Sequence, residues 1–299
     1  MDKIITLLDS QGPLTGKELL EKINMDEFST WKFCNSSDRV VTKTIGDRYL
    51  RLDRQVDGYA RLSPSIIREF YGYTIIGTEN NVHDIIIKAK LLHQEIIAIS
   101  KKKFELAQRV ITKIVESQQA SEAIKTGVCF IIAGDVAYEM SHLEPRPEAS
   151  TGELVKGSDL DIVVITQDLS DDIINALDLS IYDHKNFLLK NPSYNEEIDY
   201  IIKDISKVKE QLQFNSFESM VASKILYEGK FLFGNFNIFN QVKKMLNDEG
   251  IPEKIRALEE KALINRNNAT TYLLNHQGKL TAEENMKLFY TKEEKEEFF

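Results

Sequence analysis

Cysteine is scarce in this chain: its 299 residues hold only Cys34 and Cys129. A disulfide framework is excluded, and no CxxC pair is present to suggest zinc. Long apolar runs are missing too. No stretch approaches the ~18–20 residues that a membrane-crossing helix needs, and the opening MDKIITLLDSQG lacks a signal-peptide pattern. The expected compartment is therefore the cytoplasm, with no membrane partner. Positive charge is not in excess: 38 Lys and Arg stand against 47 Asp and Glu, a net charge of −9 and a pI near 5.3. A wholly basic nucleic-acid coat is excluded, whereas a local basic patch is not. The sequence shows no Walker glycine loop, no GxGxxG after a strand, and no Ser/His/Asp or Cys/His arrangement. What is present is ordinary for a globular protein, with 42% hydrophobic and 28% charged residues. That is enough apolar surface to exclude disorder over most of the chain. The length suits two domains of ~100–200 residues each.

The expected class is α/β (α+β), in four segments: 1–78, 79–126, 127–212 and 213–299. In the first, LTGKELLEKI (14–23) reads as a helix capped by Thr15. A second helix is expected within 24–37. VVTKTIGDRYLRLD (40–53) reads as a hairpin turning at Gly46-Asp47. SPSIIREFYGYTIIG (63–77) opens a third helix. This order is compatible with a winged helix-turn-helix. Residues 31–70 carry eight basic against five acidic side chains, so Lys43, Arg48 and Arg51 on the wing are candidates for phosphate contacts. The alternative is a hairpin that simply exposes its charges, in a module that contacts protein. Residues 79–126 hold a helical stripe through Ile85, Ala89, Leu92, Ile96 and Ile99. They form one helix, or two broken near Ser100–Lys103. His83 and His93 read as surface or packing residues, and the Lys101–Lys103 run as a solvated face.

The third segment has buried-type strands at Val128–Ala133, 160–166 and 197–203. Helices are expected at 171–190, 216–230, 237–247 and 251–274, then a final helix with a frayed, charged tail. Chemistry concentrates at Gly157-Ser158-Asp159-Leu160-Asp161. Asp159 and Asp161 are two residues apart where a strand begins, so both carboxylates face the same side. Like charges ~7 Å apart raise each other's pKa, and a cation between them offsets this. Hard oxygen ligands of this kind select Mg²⁺ or Mn²⁺. Asp199, on the next strand, is the expected third ligand. Glu197 has the same parity and competes for the role.

This pattern resembles the DNA polymerase β-like nucleotidyltransferase superfamily: Gly134 after a first strand, Asp159 and Asp161 on a second, Asp199 on a third. The resemblance covers about residues 128–203. It implies a nucleotidyltransferase core over 127–212, a C-terminal helical region over 213–299, and catalysis by Asp159, Asp161 and Asp199 around Mg²⁺ or Mn²⁺. NTP is the implied substrate and an acceptor hydroxyl the second. On the following helix Ser223 and Lys224 match the side chains that face the triphosphate in small members; the alternative is a solvated Ser-Lys pair. Two departures stand out. Asp135 follows Gly134 where the family has Ser or Gly, so an anion stands where phosphate is expected, unless it turns away or helps hold metal. The segment from Gly134 to Asp159 is also longer than usual, and 141–158 reads as an active-site loop. Arg146 and Lys156 are its cationic candidates for the triphosphate. Gly157 and Ser158 complete the nucleotide-binding set, Ser158 offering the hydroxyl that position 135 lacks. His142 is either a general base or polar surface. Three functions remain open: NMP transfer to RNA, protein or a small molecule; synthesis of a short or cyclic nucleotide; or a winged-helix regulator with an inactive, nucleotide-sensing transferase domain.

Overall fold

The computed structural model describes residues 2–148 and 151–285, which divide into two units: Met1–Glu95 with Leu258–Phe299, and Ile96–Ala257. The chain is mixed α/β.

In the first unit, α1 (Asp2–Gln11) buries Ile4, Ile5 and Leu8; the sequence reading passed over it. After β1 (Leu14–Thr15), Thr15 caps α2 (Gly16–Lys22) as expected. Its hydroxyl accepts from the Glu18 N–H at 3.2 Å, and Glu18 accepts in return from the Thr15 N–H at 2.7 Å. α3 (Glu27–Ser36) starts on Asp26 and buries Phe28, Trp31 and Cys34. Then come β2 (Val40–Thr44), β3 (Tyr49–Leu52), β4 (Ala60–Ser63), α4 (Ile66–Tyr73) and β5 (Thr74–Thr78). Ile4, Leu19, Trp31, Ile67, Phe70, Ile76 and Leu273 share this unit's core.

The expected hairpin about Gly46-Asp47 does not form. β2 pairs instead with β5, and β3 with β4, giving a three-stranded sheet in the order β1-β5-β2 and a separate two-stranded ladder. The expected helix at 63–77 is correspondingly shorter and gives way to β5. Ile75 and Ile76 explain the exchange of partners: both are wholly buried in β5, and an apolar central strand gains more from two neighbours than a polar turn does from closing locally. The basic trio is thereby separated. Lys43 is exposed on β2, Arg48 forks onto Glu69 at 2.5 and 2.8 Å, and Arg51 stands opposite Arg61 in the β3–β4 ladder.

α5 (Val82–Glu116) is one unbroken helix, with no interruption at 100–103. It starts in the first unit and ends in the second. His83 and His93 are exposed. Lys103 corrects the reading of its lysine run: it is 2% exposed.

The second unit continues with α6 (Ser121–Gly127), β6 (Val128–Ile132), α7 (Gly134–Tyr138), β7 (Pro145–Pro147), β8 (Leu154–Lys156) and β9 (Leu160–Thr166). There follow α8 (Asp171–Lys190), β10 (Ile198–Asp204), α9 (Ile205–Gln211), α10 (Phe217–Glu228), β11 (Lys230–Gly234) and α11 (Phe236–Asp248). α12 (Ile251–Asn275) and α13 (Ala282–Glu284) complete the described chain. The charged tail after residue 285 lies outside the described residues. The segment 141–158 is not wholly a loop, since β7 and β8 form a ladder within it. The helix expected at 216–230 stops at Glu228, and KFLFG forms β11.

The sheet order is β10-β9-β6-β11, with β9 and β10 parallel and the other pairs antiparallel. On one face Phe130, Ile132, Ile162, Val164 and Ile198 pack against Ile111 and Ile114 of α5 and Leu177 and Ile181 of α8. Each contributes roughly 1.5–3 kcal/mol by burial. By strand parity, Asp161 and Asp199 point to the other face. Burial pushes the thiols of Cys34 and Cys129 up to about 12, which leaves them inert.

Candidate metal centre

Asp159 precedes β9, Asp161 is the strand's second residue, and Asp199 lies directly beside Asp161 in the parallel register. A ligand oxygen from each of Asp159, Asp161 and Asp199 falls within 4.8 Å of the others. Strand spacing of ~4.8 Å accounts for the cross-strand approach, and parity for the approach along β9. β6 ends beside them. The Ala133 N–H donates to the Asp161 carbonyl at 3.0 Å, and Gly134 follows with φ +62°. A Cβ at Gly134 would stand 2.0 Å from Asp161 Oδ2, so only glycine permits this approach.

The three acids are in electrostatic conflict. Burial raises the carboxyl of Asp159; Arg146 lowers it, and Asp135 and Asp199 raise it again. Asp161 is pushed well above the usual carboxylate range, first by burial and then by Asp159, Asp135, Asp199 and Glu228. An all-oxygen donor set that is anionic, crowded and partly desolvated can hold a hard cation, whose charge offsets the repulsion.

The other expected residues divide into two groups. Those around the acids are held by one another. Ser158 donates to Asp135 Oδ2 at 2.7 Å and accepts from the His142 N–H at 3.2 Å. Asp135 thus turns toward Ser158. Arg146 reaches Glu197 at 2.8 Å and Asp159 at 3.5 Å, and its Nε donates to the Gly157 carbonyl at 2.9 Å. Glu197 is buried against this guanidinium and stays outside the three-aspartate cluster. Gly157 has φ +64°, and a Cβ there would stand 2.0 Å from the His142 carbonyl. Lys156 is half-buried; its N–H donates to Asn195 at 2.7 Å and its carbonyl accepts from Lys103 at 2.8 Å.

On the following helix, Ser223 departs from the expectation. Ser223 is wholly buried, and its hydroxyl donates to the Gln211 carbonyl at 3.1 Å; it packs α10 against α9 and is not offered to a nucleotide. Lys224 is buried in an ion pair with Glu228, its ammonium 5.2 Å from the Tyr138 ring centroid.

Several participants escaped the sequence reading. Glu228 pairs with Lys224, accepts from Tyr138 and meets the Gly134 N–H at 3.4 Å. Its i+4 spacing from Lys224 was the available signal. Lys103 donates to Glu196 at 2.6 Å and so ties α5 to the stretch before β10. Lys185 of α8 donates to Asp199 at 3.1 Å. Neither of these long-range partners has a local signature.

A cavity of about 400 Å³ opens at the opposite end of β6 and β9, lined by Thr126, Gly127, Gln167, Asp168, Asn235 and Asn237 among others; Asp159, Asp161 and Asp199 do not line it. Among the described residues no helix is long and apolar enough to cross a membrane. Comparison with protein-family models, curated proteins and solved structures finds no match to this chain.

Proposed function

We propose that the three-aspartate cluster is the catalytic centre of a Mg²⁺- or Mn²⁺-dependent nucleotidyltransferase, which moves an NMP from an NTP to an acceptor hydroxyl and releases pyrophosphate. One observation carries this reading: oxygens of Asp159, Asp161 and Asp199 lie within 4.8 Å of one another, on adjacent parallel strands, with the side-chain-free Gly134 against them. Bound there, the cations would neutralise the triphosphate and lower the pKa of the acceptor hydroxyl.

The protein's own groups divide the remaining work. Asp159 and Asp161, fixed two residues apart, provide the shared oxygens. Asp199 lies toward the open edge of the sheet and takes the proton of the acceptor hydroxyl on a carboxylate oxygen. The acceptor oxygen bonds to the α-phosphorus, the bond from that phosphorus to the bridging oxygen breaks, and pyrophosphate leaves. Gly134, with no side chain, lets the Asp161 carboxylate come up against the end of β6. Arg146 positions Asp159, since its guanidinium is committed to Asp159, Glu197 and Gly157. Lys224 serves the triphosphate by exchanging Glu228 for phosphate oxygens. Asp135 directs its charge at the Ser158 hydroxyl, which lessens the repulsion expected at the glycine turn.

A second reading has its own support. In the first unit, α1–α3 and the β1-β5-β2 sheet suit a winged helix-turn-helix whose wing is enlarged by β3, β4 and α4. Lys43 is an exposed basic residue that such a module would turn to nucleic acid. A regulator built this way would bind NTP without turnover.

The test uses NTPs labelled at the α-phosphate, Mg²⁺, and wild-type or Asp161→Asn protein shown by circular dichroism to be folded. Wild type is expected to transfer label and release pyrophosphate, and the variant to lose about a hundredfold or more. A near-wild-type rate in the variant eliminates the mechanism. A small labelled nucleotide as sole product favours the synthase alternative, and binding without turnover the regulator.

A further inference from the structure

β10 is an edge strand: among the described residues its neighbour is β9 alone. It runs for seven residues, Ile198–Asp204, long enough to accept another strand. Two consecutive side chains on its outer-sheet face are exposed. Asp199 is one, and Ile201, 51% exposed, is the next by parity. Ile201 thus offers an apolar side chain on the same face as the candidate catalytic carboxylate.

The opposite flank of the same edge comes from α8. Tyr200 donates to Asp178 Oδ1 at 2.8 Å, and Lys185 donates to Asp199. Tyr182 is four residues after Asp178 and three before Lys185, so it shares the helix face that follows β10. It is 54% exposed. Among the described residues the edge therefore has no second strand beside it, and Ile201 and Tyr182 flank it.

Charge decides what fits. α8 carries Asp171, Asp172, Asp178 and Asp183 against Lys185 and Lys190, and β10 carries Asp199 and Asp204 against Lys203. The whole chain has a net charge of −9. A polyphosphate backbone would be repelled along this flank, whereas an extended polypeptide, above all one with basic residues, would not.

We infer that the acceptor is an extended polypeptide segment that adds as a strand to β10 and presents a Ser, Thr or Tyr hydroxyl opposite Asp199. This rests on the nucleotidyltransferase reading above and names its second substrate. Strand addition supplies backbone hydrogen bonds for affinity and alternate side chains for specificity. A residue directly across from Asp199 places its Cβ ~4.5–5.5 Å away on the same face, within reach of the three carboxylates. The residue two positions along meets Ile201. The preferred segment thus pairs a hydroxyl with an apolar side chain two places away, and its intervening residue turns toward Tyr182. The product is a phosphodiester between the NMP and the peptide hydroxyl, with the proton passing to Asp199 and pyrophosphate leaving.

The test presents the full chain, with Mg²⁺ and α-phosphate-labelled NTPs, to an array of short peptides each holding one central Ser, Thr or Tyr, and in parallel to total RNA. Peptides are expected to be labelled in preference to RNA, most strongly those with an apolar residue two places from the hydroxyl. Ile201→Asp, on an exposed position and with an unchanged melting curve, is expected to cut that labelling at least tenfold. Amides of β10 are expected to exchange hydrogen more slowly when the best peptide is added without NTP. Labelled RNA or a small labelled product with no labelled peptide overturns the polypeptide acceptor and leaves nucleotidyl transfer standing. Labelled peptides indifferent to Ile201→Asp, with unprotected β10 amides, overturn the edge as the docking place. Absence of pyrophosphate release with every acceptor defeats nucleotidyl transfer itself, and the acceptor with it.

Discussion

Asp161 is an acid that the fold places at a disadvantage. Burial comes first, and the charges of Asp159, Asp135, Asp199 and Glu228 add to it, so its carboxyl ionises well above the ordinary value of 3.8. The sign of the consequence follows from proton counting. Between the unfolded and native values the native protein holds the extra proton, so stability without metal falls as pH rises through that window. The penalty is complete above the native value. Asparagine keeps the shape and removes the charge. In a chelator, Asp161→Asn is therefore expected to melt at a higher temperature than wild type at neutral pH, with the gap closing toward the acid end as Asp161 takes up its proton. Circular dichroism melts across pH measure this. A variant that melts lower than wild type at neutral pH would show that protein groups already satisfy the charge. The same residue explains what was legible beforehand. Asp159, Asp161 and Asp199 could be read because two-residue spacing fixes a face without knowledge of the partner strand. The fates of Arg146 and Ser223 could not, because each depends on a group further along the chain: the Glu197 carboxylate and the Gln211 backbone carbonyl.

Elements show the same division between local and distant causes. β9 and α8 have the boundaries that the sequence indicates, since a continuous apolar run and a 3.6-residue stripe are internal properties of a segment. The Gly46-Asp47 hairpin failed because pairing is decided between strands, and β5 lay hidden at the end of a segment read as helix. β11, which begins where the helix expected at 216–230 ends, went unassigned for the same reason. α10 ends at Glu228 with Gly229 as its C-cap, and a side chain from another helix satisfies that end. Lys243 of α11 donates to the carbonyls of Leu226 and Tyr227, each at 2.7 Å, and of Gly229 at 2.8 Å. These are carbonyls that a helix end leaves without intrahelical partners, and a cation at a helix C-terminus also favours the dipole. Lys243→Met preserves the stem and removes the donors. It is expected to cost about 1.5–3 kcal/mol, the range for charged hydrogen bonds, read from urea denaturation of the full chain. A loss below a few tenths would mean that water replaces the ammonium without penalty.

At the scale of the whole molecule, each of the two units has its own hydrophobic core, one built around Leu19, Trp31 and Phe70 and one around Phe130, Ile162 and Val164. The three aspartates belong entirely to the second. A cation that binds only the folded second unit raises the free energy of opening that unit, by about 2.7 kcal/mol at a hundredfold excess over its dissociation constant. Where units open separately, the gain is confined to the amides of the unit that binds. Hydrogen exchange resolves this residue by residue. With Mg²⁺ or Mn²⁺ added, amides of β6 and β9 are expected to exchange up to ~100-fold more slowly, while those of β2 and β5 keep their rates. Asp161→Asn should abolish the difference. Equal slowing in both sheets would mean that the chain opens as one cooperative body, with α5 and α12 transmitting the stabilisation along their length. No slowing in either sheet would mean that the carboxylates hold no divalent cation, and the repulsion at Asp161 would then have to be relieved by protonation alone.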